Sequence, residues 1–197
     1  MKINRVIMMM STLFFCNDSG KGQTIIRPVQ DSDLELVKAL AIKTFSVVNQ
    51  FTTQEQVDAL AKVYDVIIAE EQDYLKKNKD NMVALVAAKE DRIIGYFSAH
   101  KTNVNSELYA RCFMVDPAYQ NRSVGKKLLQ QCRAILPAIK KVTCLTNKKN
   151  NGAQKLYEYF GAKRIENPDW AHHLYSNLKP SDYVGYEFDQ KAISRFD

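Results

Sequence analysis

Val115-Asp116-Pro117-Ala118-Tyr119-Gln120-Asn121-Arg122-Ser123-Val124-Gly125-Lys126-Lys127-Leu128-Leu129 joins a strand end, a polar loop and a helix start. Leu108–Val115 has the apolar character of a strand, and Asp116-Pro117 ends it. Val124, Leu128, Leu129, Cys132 and Ile135 then recur at helical spacing until Pro137. A loop entering a helix offers backbone N–H groups that have no intrahelical acceptor, at the positive end of the helix dipole. Such a terminus binds phosphate. Gly125 admits close approach of a ligand, and Arg122 and Lys126 add charge-assisted contacts. A solvated helix start has the same residues, so the flanking sequence must decide.

Upstream, Gln23–Arg27 is a short β-rich run ended by Pro28. Ser32-x-x-Glu35 has capping-box form before a helix with Leu34, Val37, Leu40, Ala41 and Phe45 on one face. A second helix, Thr53 to Tyr74, carries Val57, Leu60, Ala61, Tyr64, Ile67 and Ile68. Its polar face is acidic near Glu70–Asp73. Asn81–Ala88 and Ile93–His100 are strands, the first nearly continuous in apolar residues and so buried on both faces. Downstream, Lys141–Thr146 is a strand. Asn150 or Asn151 caps a helix with Ala153, Leu156, Tyr157 and Phe160 inside, and Gly161 terminates it. Tyr183–Phe188 is the last strand. The order is strand, two helices, three strands, helix, strand, helix, strand. It predicts an α/β (α+β) fold: an antiparallel meander followed by a parallel crossover.

Charge is concentrated around the quoted stretch. The 197 residues hold 28 Lys and Arg against 22 Asp and Glu, a net charge of +6. Gln120 to Arg164 contains eleven bases and one acid, Glu158, a local +10; seventeen bases against twenty-one acids give the rest −4. Concentrated charge points to one polyanionic ligand at one place. With 46% hydrophobic and 25% charged residues, the composition excludes disordered and fibrous classes. Cys16, Cys112, Cys132 and Cys144 form no metal-type spacing, and the last three read as buried thiols of a reducing compartment. No metal site is expected.

Residues 1–22 read as a leader. Lys2 and Arg5 precede the apolar run Val6–Cys16, which has the outline of a secretory signal but no small-x-small cleavage site. The run is too short to span a membrane. A start at Met8, Met9 or Met10 is the equal alternative. The domain is read as residues 23–197 and its compartment as the cytoplasm, with export the alternative if the leader acts as a signal.

The quoted stretch resembles the acetyl-CoA motif of the GNAT superfamily of N-acetyltransferases, Gln/Arg-x-x-Gly-x-Gly/Ala after a strand. Asn150-x-x-Ala153-x-x-Leu156-Tyr157-x-x-x-Gly161-Ala162 resembles the family's second motif. The resemblance covers about residues 23–189 and implies a mixed central sheet with a splayed parallel strand pair and helices on both faces. It departs at Ser123, where the family has glycine; a serine is harmful there only if the position requires positive φ. Ala162 replaces a common Phe.

The resemblance implies acetyl-CoA as co-substrate. Backbone near Val115 would hold the pantetheine and acetyl carbonyl. The loop Asn121, Arg122, Ser123, Val124, Gly125 and Lys126 would hold the pyrophosphate, and Asn150 would contact the pantetheine arm. Tyr157 would protonate the leaving thiolate. From the residues alone, Tyr157 reads as a core aromatic and Asn150 as an N-cap; only the place of Tyr157 in the motif favours the acid role. For the general base, Glu107 shares strand parity with Tyr109, where many family members carry Glu, and is the first candidate. A solvated strand-edge acid is its equal alternative. His172 and His173 in the Asn167–Ser181 connection follow, then His100. The acceptor is expected to be a primary amine, small molecule or protein, bound between Phe45–Thr53 and Asn167–Ser181. A cationic head suits the acidic second helix. A non-catalytic acyl-CoA-binding module is the alternative function. No nucleic-acid partner and no membrane association of the domain are expected; a homodimer is compatible.

Overall fold

The computed structural model describes residues 14–16, 23–77, 81–104, 106–166, 168 and 182–196. In chain order its elements are β1 (Phe14–Cys16), β2 (Thr24–Pro28), α1 (Leu34–Val48), α2 (Gln54–Lys77), β3 (Met82–Lys89), β4 (Arg92–Lys101) and β5 (Glu107–Val115). They continue with α3 (Val124–Ile135), β6 (Lys141–Asn147), α4 (Asn151–Tyr159), β7 (Lys163–Ile165), β8 (Tyr183–Phe188) and α5 (Gln190–Ile193). The strands form one sheet in the order β1-β2-β3-β4-β5-β6-β8-β7. β1 through β5 pair antiparallel, β5 and β6 pair parallel, and β8 runs antiparallel to both β6 and β7. This is the expected meander followed by a crossover through α3.

Helices cover both faces, which explains why β3 and β4 are nearly continuous apolar runs. On one face Leu34, Val37, Leu40, Ala41, Tyr64 and Ile68 pack on Val86, Tyr96 and Met114. On the other Leu128, Leu129, Cys132, Tyr157, Phe160 and Ile193 pack on Leu85, Phe97 and Leu108. Gly95 lets α3 lie close to the sheet. A Cβ there would stand 3.0 Å from Val124 and 3.1 Å from Leu128.

Three elements go beyond the sequence expectation. β7 is three residues long with two exposed lysine and arginine side chains, so it shows no apolar alternation. α5 is a single turn capped by the Asp189 side chain, which accepts from the Ala192 N–H. β1 lies within the apolar run read as a leader; residues 1–13 and 17–22 lie outside the described residues. The cap before α1 also shifts. Asp33, not Ser32, closes the entry: it accepts from Gln30 N at 2.8 Å and takes both guanidinium nitrogens of Arg27 at 2.6 and 2.8 Å. Arg27 holds the Asp33 carboxyl below its ordinary pKa.

Candidate functional site

β5 and β6 pair over four residues, from Glu107↔Lys141 to Ala110↔Cys144, and then separate. β5 continues on β4 as far as Val115↔Gly95, and β6 continues on β8 as far as Asn147↔Tyr183. Residues 111–115 and 145–147 therefore form two strand edges that face one another without pairing. Backbone N–H and C=O groups require partners, so an extended ligand with amides of its own fits this gap as an added strand would.

The divergence begins at a β-bulge. The β4–β5 register runs Ser98↔Cys112 and then Ala99↔Ala110, leaving Arg111 as the extra residue. Bulges bend the strand and end pairing, and this one falls immediately after the last β5–β6 pair. Before it Leu108 and Ala110 face α3. After it Phe113 and Val115 do so, while Cys112 and Met114 face α1 and α2.

At the wide end of the gap, β5 leads into α3 by a tight turn. The Asp116 carboxylate accepts from Ala118 N at 2.9 Å and from Lys43 Nζ at 2.8 Å. The Val115 carbonyl accepts from Gln120 Nε2 at 3.1 Å. Asn121 and Ser123 are both left-handed, at φ 60° and 61°. Left-handed residues within a turn curve the backbone into an anion-binding concavity. The first helical bond of α3 is Lys127 N to Ser123 O at 3.0 Å. Among the described residues, the N–H groups of Val124 and Gly125 precede that first bond and can turn to an outside acceptor. Two cations lie on the Tyr119 ring, Lys89 at 5.7 Å and Arg122 at 5.6 Å. Lys89, at the end of β3, was not among the residues the motif pointed to. Lys148 and Lys149 stand at the matching β6–α4 turn, so cationic side chains border both ends of the diverging strands.

Gly125 has a role the sequence did not show. A Cβ on it would stand 3.0 Å from Cζ of Phe113. The glycine lets the first turn of α3 rest on the β5 ring beneath it.

α4 is capped by Asn150, whose Oδ1 accepts from Ala153 N at 3.1 Å. Its amide nitrogen is separate from that cap, so capping and ligand contact are compatible. Tyr157 is 6% exposed and lies edge-on to Tyr186 at 5.1 Å and Phe188 at 5.6 Å. Its hydroxyl neighbours the thiol of Cys144, the residue at the vertex of the divergence. Burial, and then the neighbouring thiol, raise the Tyr157 pKa, so it stays protonated at neutral pH. Burial also pushes the Cys144 and Cys132 thiols up to about 12, which makes them inert. Tyr157 is thus a core aromatic whose one polar atom sits where the strands part.

Glu107 lies at the closed end of the strand pair and is held by Lys141 at 2.8 Å. His100 is tilted against Tyr74 at 5.6 Å and Tyr109 at 5.4 Å. Its Nδ1 is buried without a hydrogen-bond partner among the described residues. Burial and the Arg111 charge lower its pKa, leaving it neutral at physiological pH. His172, His173 and the rest of the acceptor connection, apart from Pro168, lie outside the described residues. Among the described residues there is no cluster of metal-ligating side chains, and no helix is long and apolar enough to cross a membrane.

Residues 48–162 match the family described as Acetyltransferase (GNAT) family, across the meander, the divergence and both motif helices. The chain belongs to the GNAT acetyltransferase family. The solved structure of PaiA N-acetyltransferase from Thermoplasma acidophilum, in complex with coenzyme A, is similar at a TM-score of 0.65. It is 18% identical over 83% of this chain and 97% of that one. A GNAT-family acetyltransferase from Staphylococcus aureus Mu50 is similar at 0.59 and 20% identity, covering 84% and 98%. The ribosomal-protein-S18-alanine N-acetyltransferase of Escherichia coli is similar at 0.53 and 15% identity, covering 83% and 90%. At these identities the likeness is one of fold. No curated protein matches the chain by sequence.

For a GNAT chain, Ser123 is the notable departure, and its φ of 61° with ψ of 8° answers the question the motif raised. The position does sit in the left-handed region, where a non-glycine residue costs about 1–2 kcal/mol. The serine hydroxyl makes no capping bond that would offset this cost. Ser123→Gly should therefore stabilise the protein by about 1 kcal/mol, read as a rise in thermal midpoint. An unchanged or lower midpoint would show that the turn is not strained at this residue.

Proposed function

We propose that this GNAT chain transfers an acetyl group from acetyl-CoA to a primary amine by direct attack in a ternary complex. The observation that carries the reading is the stretch in which β5 and β6 no longer pair, which opens beside the Val124 and Gly125 N–H groups of α3 and ends near the Tyr157 hydroxyl. The pantetheine arm carries amides that can pair with both free edges, with Asn150 beside it. The pyrophosphate suits the loop Asn121–Lys126, with Val115 at its root. The deprotonated amine attacks the thioester carbon. The N–C bond forms as the C–S bond breaks, the thiolate takes the Tyr157 proton, and the surplus proton of the new amide nitrogen leaves to solvent, from which the Tyr157 oxygen is reprotonated. An unperturbed Lys-type amine has a pKa of about 10.4, so a base must remove its proton before attack.

Among the described residues, to which His172 and His173 do not belong, Glu107 and His100 are the candidates for that base. A direct comparison separates them. If His100 is the base, turnover falls as pH drops through a value below 6.5, because only neutral imidazole accepts a proton and its pKa is lowered. His100→Gln should then abolish that limb and leave acetyl-CoA affinity intact. If Glu107 is the base, Glu107→Gln lowers turnover and His100→Gln leaves the profile unchanged.

The function itself is tested by thiol release from acetyl-CoA across a panel of small-molecule and peptide amines. Amine-dependent release supports transfer. Tight CoA binding with no release on any amine favours the alternative, a non-catalytic acyl-CoA-binding module. Duplex binding that acetyl-CoA does not displace would overturn both.

A further inference from the structure

Glu71 is 2% exposed, although it belongs to the segment of α2 that reads in the sequence as an acidic polar face. Burying a carboxylate costs several kcal/mol unless it is paired and hydrogen-bonded. Its oxygens are engaged by two different strands. Oε1 accepts from the Tyr96 hydroxyl of β4 at 2.8 Å, and Oε2 accepts from Arg111 Nε of β5 at 3.0 Å. Arg111 is the extra residue of the bulge, and its guanidinium also lies 5.2 Å over the ring of Tyr74, again on α2. One helix thus grips, by charge and by ring face, the single residue at which β5 leaves β6. Ala110, the residue just before it, is the last to pair with Cys144.

We propose that Glu71 is a positioning residue for the pantetheine arm: by drawing Arg111 onto α2 it holds the bulged segment of β5 apart from β6 and keeps the gap open. This inference rests on the acetyl-CoA reading above. A buried ion pair is weak evidence for stability, since packed hydrocarbon of the same shape often serves as well or better. The directional grip on a bulge residue is what hydrocarbon would not supply. Tyr96 reinforces the clip from the strand on the other side of β5, so the pull on Arg111 is referenced to the part of the sheet that does not diverge.

The test compares two ligands. CoA carries the pantetheine arm, whereas adenosine 3′,5′-bisphosphate offers phosphates to the α3 loop without it. Binding of each is measured by calorimetry on the full chain, wild type, Glu71→Gln and Tyr96→Phe, with thermal unfolding alongside. Glu71→Gln should weaken CoA by about tenfold, equivalent to about 1.4 kcal/mol, while bisphosphate binding stays at the wild-type value. Tyr96→Phe, which leaves no buried charge unpaired and keeps the ring, should shift CoA in the same direction by a smaller factor. Equal weakening of both ligands would mean that Glu71 only supports the fold, and unchanged CoA binding in both variants would mean that the clip does not set the gap; either overturns the proposal. A wild-type chain that binds neither ligand overturns the acetyl-CoA reading, and this inference with it.

Discussion

Tyr157→Phe lowers turnover by about 10²–10⁴-fold, the usual contribution of a positioned general acid, and leaves CoA binding intact. The substitution keeps the ring and its edge-on contacts with Tyr186 and Phe188, so the core beneath α4 is preserved. It removes the only polar atom of the side chain, the one that reaches Cys144 at the vertex of the strands. The cost to stability is at most that of one weak polar contact with a thiol, on the order of 1 kcal/mol or less. Steady-state thiol release and calorimetric CoA binding, measured on the same preparation, separate the effects. Unchanged turnover would remove Tyr157 from the acid role. Loss of binding and turnover together would make it a structural residue.

Gly125→Glu eliminates CoA binding. The Cβ alone meets Phe113 Cζ at 3.0 Å, and the carboxylate adds a negative charge at the N-terminus of α3. A carboxylate about 4 Å from one phosphate charge costs about 4 kcal/mol at an effective dielectric of 20, close to a thousandfold in affinity. Packing and charge are distinguished by Gly125→Ala, which brings only the first. It should cost about 1–3 kcal/mol of stability through overpacking, largely recovered when Phe113→Leu removes the ring beneath it. Normal CoA affinity in Gly125→Glu would sink the assignment of this loop to the phosphates.

These variants also mark how far the sequence could be read. The strand–loop–helix at Val115–Leu129 and the Asn150–Gly161 helix sit in local patterns; the order of elements was enough to anticipate the meander and the crossover, while the divergent pair was anticipated only through the family resemblance. The role of Gly125 was legible only in part. Its spacing shows that a glycine belongs there, but the Phe113 ring that requires it arrives through tertiary packing. Ser123 shows the same limit: the substitution is visible in the sequence, whereas the left-handed backbone that makes it costly is a property of the folded turn. Glu71 had left a signal. Tyr64, Ile68 and Glu71 fall at i, i+4 and i+7, the buried stripe of α2. An acid on that stripe needs an inward partner, yet its neighbours Glu70 and Asp73 made the segment look like a solvated face. Arg111 could not be matched to it, because the bulge that turns Arg111 toward α2 has no signature in Ala110-Arg111-Cys112.

The separation of β5 from β6 means that the sheet is one strand short in its interior. Edges of this kind are normally found at the rim of a sheet, where water satisfies them; here they lie between two halves joined by four residue pairs and by the helices across them. A ligand that hydrogen-bonds to both edges acts as an insert that completes the fold as well as a reactant held in it. Its binding energy is then also folding energy, rising as RT ln(1 + [L]/Kd). The two halves of this acetyltransferase should be most firmly coupled while acetyl-CoA bridges them and least so after CoA has left.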